Sequence, residues 1–276
     1  MPFITTNDGI KIHYEEKGRG DALLLIHAWS FSSYFFRGNM DELSKDYRVI
    51  NMDLRGHGDS EKPAWGYRIS RMAKDIKDLI EALNLKDVTL LGWSMGASII
   101  WSYIDLFGNE HLAKIILVDQ SPRQYITPKW KWGQLGCYDA EALAILSTRL
   151  EYDAEGVARE MVGTCLARKP TADEENTFVS EMIKCPGWVQ AAIMADHTNL
   201  DWRDLLPQIK LPALVLVCRN SKVFPWQGSA YVGEKISKAR TVFFEESSHI
   251  PFYEEADKFN QVVRDFMKRH ITLSYE

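Results

Sequence analysis

The sequence predicts an α/β protein: a mostly parallel sheet flanked by helices, with a helical segment inserted near the carboxyl edge of the sheet. Three observations carry this. Short apolar runs rich in branched residues, such as 22–26 and 213–218, alternate with helix-period segments such as 71–83. That spacing implies right-handed βαβ units. The alternation stops at Asp119 and resumes at Ala213, with only helix-like pieces between. Finally, Gly92-Trp93-Ser94-Met95-Gly96 stands directly between a strand-like run and a helix-like run.

Taken in order, residues 3–6 and 10–16 alternate apolar and polar around Asn7-Asp8-Gly9, the pattern of a hairpin with an Asx-Gly turn. Residues 22–26 are apolar throughout and read as a strand buried on both faces. A helix is expected from Ser32 or Ser33 to about Leu43, and a strand over 47–52 that runs into the glycine-punctuated loop 53–60. In the helix expected over 71–83, Met72, Ile76, Leu79, Ile80 and Leu83 share one face, with Lys74, Asp75, Lys77 and Asp78 opposite. The strand over 88–93, a helix over 97–107 and a strand over 115–118 follow. Helical pieces are expected at 140–150, 155–167, 172–184 and 188–196. The βαβ pattern returns with strand 213–218, helix 228–236, strand 241–244 and a final helix over 255–267. Residues 1–120 and 208–276 thus form a core domain, and 121–207 a cap inserted after the sixth strand. An insertion at the carboxyl end of a strand lies where open α/β sheets bind ligands.

Composition narrows the classes. The chain has 276 residues, 46% of them apolar, enough for one large core. A formal charge of -5 gives no basic surface for nucleic acid or anionic lipid. No apolar stretch approaches membrane-span length, and the amino terminus lacks a signal-peptide pattern. Cys137, Cys165, Cys185 and Cys218 have no short paired spacing, so reduced thiols, a cytoplasmic location and no metal site are expected.

The chemistry centres on Ser94. In a strand–turn–helix context the pentapeptide is a nucleophile elbow: the tight turn lifts the serine hydroxyl above the sheet and aims the Met95 N–H at a developing oxyanion. Bulk at Gly92 or Gly96 would collide with the other side of the turn or with neighbouring strands. A serine needs a base, and His249, on the loop between the last strand and the last helix, stands in the right chain order. The segment 216–225 after the cap holds no carboxylate, and Ser221 occupies the position where an aspartate is expected. Asp119, at the end of the strand beside the elbow strand, is therefore expected to orient His249, ahead of Asn220. Trp29 is expected to give the second oxyanion N–H, and Trp29, Trp130, Trp188 and Ile250 to touch substrate. His57, in a loop that turns the chain, reads as structural. His197 could touch substrate but reads first as a packed or surface histidine.

His27-x-Trp29, Arg55-Gly56-His57-Gly58-x-Ser60, Gly92-x-Ser94-x-Gly96 and Ser248-His249-x-Pro251 occur in that order over nearly the full length. Together they resemble the α/β-hydrolase superfamily, especially its esterase and cofactor-free haloperoxidase (perhydrolase) branch. The resemblance implies an eight-stranded sheet, a lid and a Ser-His-acid hydrolase with no metal or organic cofactor. This chain departs from the family pattern in three places. Ala28 stands where glycine is usual, Ser248 replaces the glycine before the histidine, and the acid moves to Asp119, a placement some members also use.

The expected function is hydrolysis of small to medium esters through an acyl-enzyme on Ser94, with a small-molecule ester or lactone as substrate. The same triad would serve a lactonase or a carbon–carbon bond hydrolase. A ligand-binding, receptor-like protein with little turnover is the reading from a different class, prompted by Ala28 and the empty acid position. Fold alone does not choose among them.

Overall fold

The computed structural model describes residues 2–268. Eight strands form one sheet: β1 (Phe3–Thr5), β2 (Lys11–Lys17), β3 (Ala22–Ile26), β4 (Arg48–Met52), β5 (Val88–Trp93), β6 (Leu112–Val118), β7 (Ala213–Cys218) and β8 (Ala239–Phe244). Their spatial order is β1-β2-β4-β3-β5-β6-β7-β8. β2 pairs antiparallel with β1 and β4, and every pairing from β4 to β8 is parallel. The hairpin turn closes as the Asn-Asp-Gly signal predicts, with Gly9 N–H donating to Thr6 O at 2.9 Å.

Successive residues of a strand face opposite sides of a sheet. In β3, Leu24 and Ile26 belong to one apolar cluster and Leu23 and Leu25 to the other, and all four are fully buried. Each such side chain contributes about 1.5–3 kcal/mol by leaving water. The continuous apolar runs are therefore strands covered on both faces. One cover is α2 (Ile69–Ala82) with α3 (Met95–Phe107) and α8 (Trp226–Lys235). The other is α1 (Arg37–Leu43) with the carboxyl-terminal α10 (Ala256–Lys268).

Four expectations change. The helix expected from Ser32 or Ser33 is composite, a 3-10 turn over Ser33–Phe36 that continues as α1. The final helix is split into α9 (Pro251–Glu254) and α10. In α2, Asp75 and Asp78 are buried rather than facing water. The reason is tertiary: Arg55, itself fully buried, lays its guanidinium on Asp75 (Nε–Oδ2 2.5 Å, Nη2–Oδ1 2.7 Å) and reaches Asp8 in the hairpin turn at 3.1 Å. Asn7 N–H donates to Asp78 at 3.0 Å. Arg71 completes the cluster on both aspartates. α2 also starts at Ile69, because Asp196 from a distant helix accepts the Ile69 N–H at 2.8 Å.

Between β6 and β7 lie four helices: α4 (Ala140–Tyr152), α5 (Ala154–Cys165), α6 (Ala172–Met182) and α7 (Gly187–His197). Their starts are readable in sequence. Asp139 and Asp153 cap α4 and α5, and Thr171 with Glu174 forms a capping box on α6. Among the described residues, no helix is long and apolar enough to cross a membrane.

Candidate active site

Ser94 is the single residue between β5 and α3, and its backbone sits at φ 52°, ψ −120°. A non-glycine residue there stores strain, a feature that clusters at functional positions. The turn is closed by Ser94 N–H donating to Val118 O at 2.8 Å. Its tightness explains the two glycines: a Cβ on Gly92 would lie 2.4 Å from the Gly96 carbonyl carbon, and one on Gly96 2.4 Å from Ile26 O.

Asp119 directly follows β6, at φ 44°, and is buried. Its Oδ2 accepts His249 Nδ1–H at 2.7 Å and the Ser221 hydroxyl at 2.7 Å, while Oδ1 accepts the Ser229 hydroxyl at 3.1 Å. A proton fixed on Nδ1 leaves the Nε2 lone pair of His249 as the basic site. Ser221 thus sits against the carboxylate, at the position where the sequence lacks an acid. Asn220 turns away, its amide donating to Glu245 O at 2.7 Å.

The His249 loop is tied down on several sides. Trp93 Nε1 donates to His249 O at 2.9 Å. His249 N–H donates to Cys165 O at 3.0 Å, and the Ser248 hydroxyl to Thr164 O at 2.8 Å, both at the carboxyl end of α5. Lys222 Nζ donates to Leu166 O just beyond, at 2.8 Å.

Ser94, Met95, His249, Ala28 and Trp29 line one cavity of about 190 Å³. Trp29 is pinned by its indole N–H, which donates to Gln190 O of α7 at 2.9 Å. Behind it, His27 Nδ1–H donates to Ala28 O (2.8 Å) while Nε2 accepts Leu54 N–H (3.0 Å). His57 Nε2 accepts Ser30 N–H at 3.2 Å, and Nδ1–H donates to Arg55 O at 3.0 Å. Burial, with His27 beside it, pushes His57 down to about 3, so both rings act as neutral struts. The left-handed backbone in this loop falls on Ser30 (φ 63°) and not on Ala28, so the extra Cβ of Ala28 sits in ordinary geometry.

Trp130, Trp188 and Ile250 do not line the cavity. Trp130 packs edge-on to Trp132 and Tyr231, with centroids 5.1 and 5.0 Å away, and under the Arg203 guanidinium. Trp188 is half exposed and stacks edge-on to Tyr67. Ile250 is fully buried in the core beside α10. A tryptophan's size predicts that it packs, not against what. The walls instead come from Phe31, Met161, Met194 and Phe224, with Gln124 and His197 among the polar lining and an Arg149–Glu160 ion pair (2.7 Å). His197, which reads in sequence first as a packed or surface histidine, lines the cavity, and Phe31, two residues after Trp29, and Phe224, on the loop after β7, carried a positional signal.

Two side-chain groups have metal-ligand spacing among the described residues, His13-Asp53-Asp59 and Glu81-Glu110-His111. Neither reaches the cavity. In the first, His13 Nδ1 is already bonded to Asp53 at 2.8 Å, and the Ser33 and Asp59 amides donate to the same carboxylate.

The family model described as alpha/beta hydrolase fold matches residues 21–143, the part from β3 through the elbow into α4. The esterase EaEST from Exiguobacterium antarcticum superposes with a TM-score of 0.91 at 28% identity, covering 97% of this chain and 99% of that one. The chain has the α/β-hydrolase fold. Among proteins similar in sequence, the AB hydrolase superfamily protein YisY of Bacillus subtilis is 27% identical, over 96% of this chain and 98% of that one. Non-heme chloroperoxidase CPO-A1 of Kitasatospora aureofaciens is 26% identical, over 98% of this chain and all of that one. Both similarities run nearly end to end, so they take in the helical segment between β6 and β7 as well as the sheet.

Proposed function

We propose that this α/β-hydrolase is a serine carboxylic ester hydrolase, with Ser94 as nucleophile, His249 as general base and Asp119 as the acid that orients it. The observation that carries the reading is the 2.7 Å bond from His249 Nδ1 to Asp119, made in the cavity wall that also presents the strained Ser94. Ser94 Oγ attacks the ester carbonyl while His249 Nε2 takes its proton. The Met95 and Trp29 N–H groups receive the oxyanion. His249 then gives the proton to the leaving alcohol and activates water to release the acid. Asp119 holds the tautomer and offsets the charge of the imidazolium. With hydrogen peroxide in place of water, the same acyl-enzyme would yield a peracid, which fits the similarity to a chloroperoxidase.

Helices α4 to α7, within residues 121–207, serve in this reading as the cap that excludes water. The cavity is small: about 190 Å³ is little more than the roughly 150 Å³ that holds a benzene ring, so short acyl groups fit best. Four buried thiols without a disulfide accord with a reducing compartment such as the cytoplasm.

The test is hydrolysis of a short p-nitrophenyl ester series by the parent, Ser94→Ala and Asp119→Asn, with folding checked by circular dichroism. Turnover that vanishes in Ser94→Ala supports the proposal. Turnover that survives there, or none in the parent, sinks it.

A further inference from the structure

The catalytic groups leave part of the cavity wall unexplained. Gln124, on the loop after β6, and His197, at the last turn of α7, both line the cavity and are only 2% and 4% exposed. They bond to each other through Gln124 Nε2 and His197 Nε2 at 2.8 Å. The amide nitrogen can only donate, so the imidazole Nε2 accepts and its proton lies on Nδ1. Gln124 Oε1 and His197 Nδ1 have no hydrogen-bond partner among the described residues, and the same holds for Oε1 of the neighbouring Gln134. The loop is built tightly enough to hold them. Gln134 N–H donates to Gln124 O at 2.8 Å, and a Cβ on Gly133 would lie 2.2 Å from that same oxygen. Burial keeps His197 neutral, pushed down to about 4.

Buried polar atoms without a partner are unfavourable and rare. Here an acceptor and a donor stand on one bonded pair of residues, both of which line the cavity that holds Ser94. We propose that Gln124 and His197 form a recognition subsite for a neutral substrate group that both donates and accepts a hydrogen bond, a hydroxyl or a primary carboxamide. A carboxylate has no proton for Gln124 Oε1, and an ammonium has no lone pair for His197 Nδ1–H. A plain alkyl group leaves both atoms unpaired. The subsite rests on the ester hydrolase reading and narrows its substrate class to short esters carrying such a group.

The test compares methyl butanoate, methyl 3-hydroxybutanoate, methyl succinamate and monomethyl succinate, followed by proton release. In the parent, kcat/KM for the hydroxy or carboxamide ester should exceed that for butanoate by about ten- to a hundred-fold, with the charged succinate no better than butanoate. In the double variant Gln124→Leu/His197→Phe that ratio should collapse to about one. A parent ratio near one, or a preference that survives in the double variant, overturns the subsite. Calorimetric titration of Ser94→Ala with the same four esters reads the preference without turnover, and so separates this idea from the hydrolase reading. Tighter binding of the hydroxy or carboxamide ester supports the subsite even if the parent hydrolyses nothing. Equal binding of all four ends it.

Discussion

Asp119 and His249 meet at 2.7 Å across 130 positions of sequence, and Ser221 donates to the same carboxylate oxygen at the same distance. The carboxylate is thus held by two hydroxyls and one imidazole, which fixes the direction of its pull on the ring. Replacing it with an amide removes the charge that stabilises the imidazolium and can reverse the tautomer. Asp119→Asn should lower kcat on the best ester by about 10³–10⁴-fold while the protein stays folded. A loss below about ten-fold would remove Asp119 from the mechanism.

The position of Ser221 makes a second prediction. Its hydroxyl already lies against the atom that His249 addresses, so a carboxylate carried by residue 221 reaches the imidazole from the end of β7 rather than β6. Ser221→Asp in the Asp119→Asn background should restore at least about ten-fold of the lost kcat. Activity no higher than in Asp119→Asn alone would show that the second route does not reach the ring.

The Arg55–Asp75 pair does not line the cavity, and it joins the hairpin turn, the 53–60 loop and α2. Both side chains are fully buried. Asp75→Ala strands a buried guanidinium and should cost about 3–5 kcal/mol in urea unfolding, with kcat unchanged. A cost below about 1 kcal/mol would mean that Asp8 alone suffices as its partner.

Burial lowers the proton affinity of His27, His57 and His197 in the folded state. Unfolded, each titrates near 6.5, so below that pH the unfolded chain binds more protons and stability falls as the solution is acidified. The slope is up to about 1.4 kcal/mol per pH unit for each ring. It persists to about 4 for His197 and about 3 for His57. His13 runs the other way: its hydrogen bond to Asp53 raises it, so its stabilisation is full below 6.5 and fades as pH rises through its folded value. Melting temperatures taken at about pH 7, 6 and 5 should drop at each step. A constant melting temperature over that range contradicts neutral struts at His27 and His57.

The elements that position Ser94 were legible because their signals are local or follow from chain order. The strand runs are apolar on both faces, the elbow needs its two glycines within five residues, and His249 follows from chain order. Asp119 could be assigned by elimination, since 216–225 holds no acid. Of the pocket walls, Trp29 was expected and His197 was offered as a possible contact, but their partners were not legible. Gln124 and His197 lie 73 residues apart on a loop and a helix end, and neither sits in a motif. Asp75 and Asp78 defeated the helical periodicity because their partners, Arg55 and Asn7, arrive from other parts of the chain. Trp130 shows the converse limit, in which residue type announces burial but not the neighbour, and at Trp188, half exposed, it announces neither.

The ties between the carboxyl end of α5 and the histidine loop bear on timing. His249 N–H and the Ser248 hydroxyl hang from the last carbonyls of α5, and Lys222 grips the residue just beyond. Any outward swing of α5 would carry the imidazole away from Asp119. Admission of a molecule and readiness for proton transfer would then exclude each other along that path. A movement confined to α4, where Leu150 is the one buried side chain among thirteen residues, would leave those ties intact.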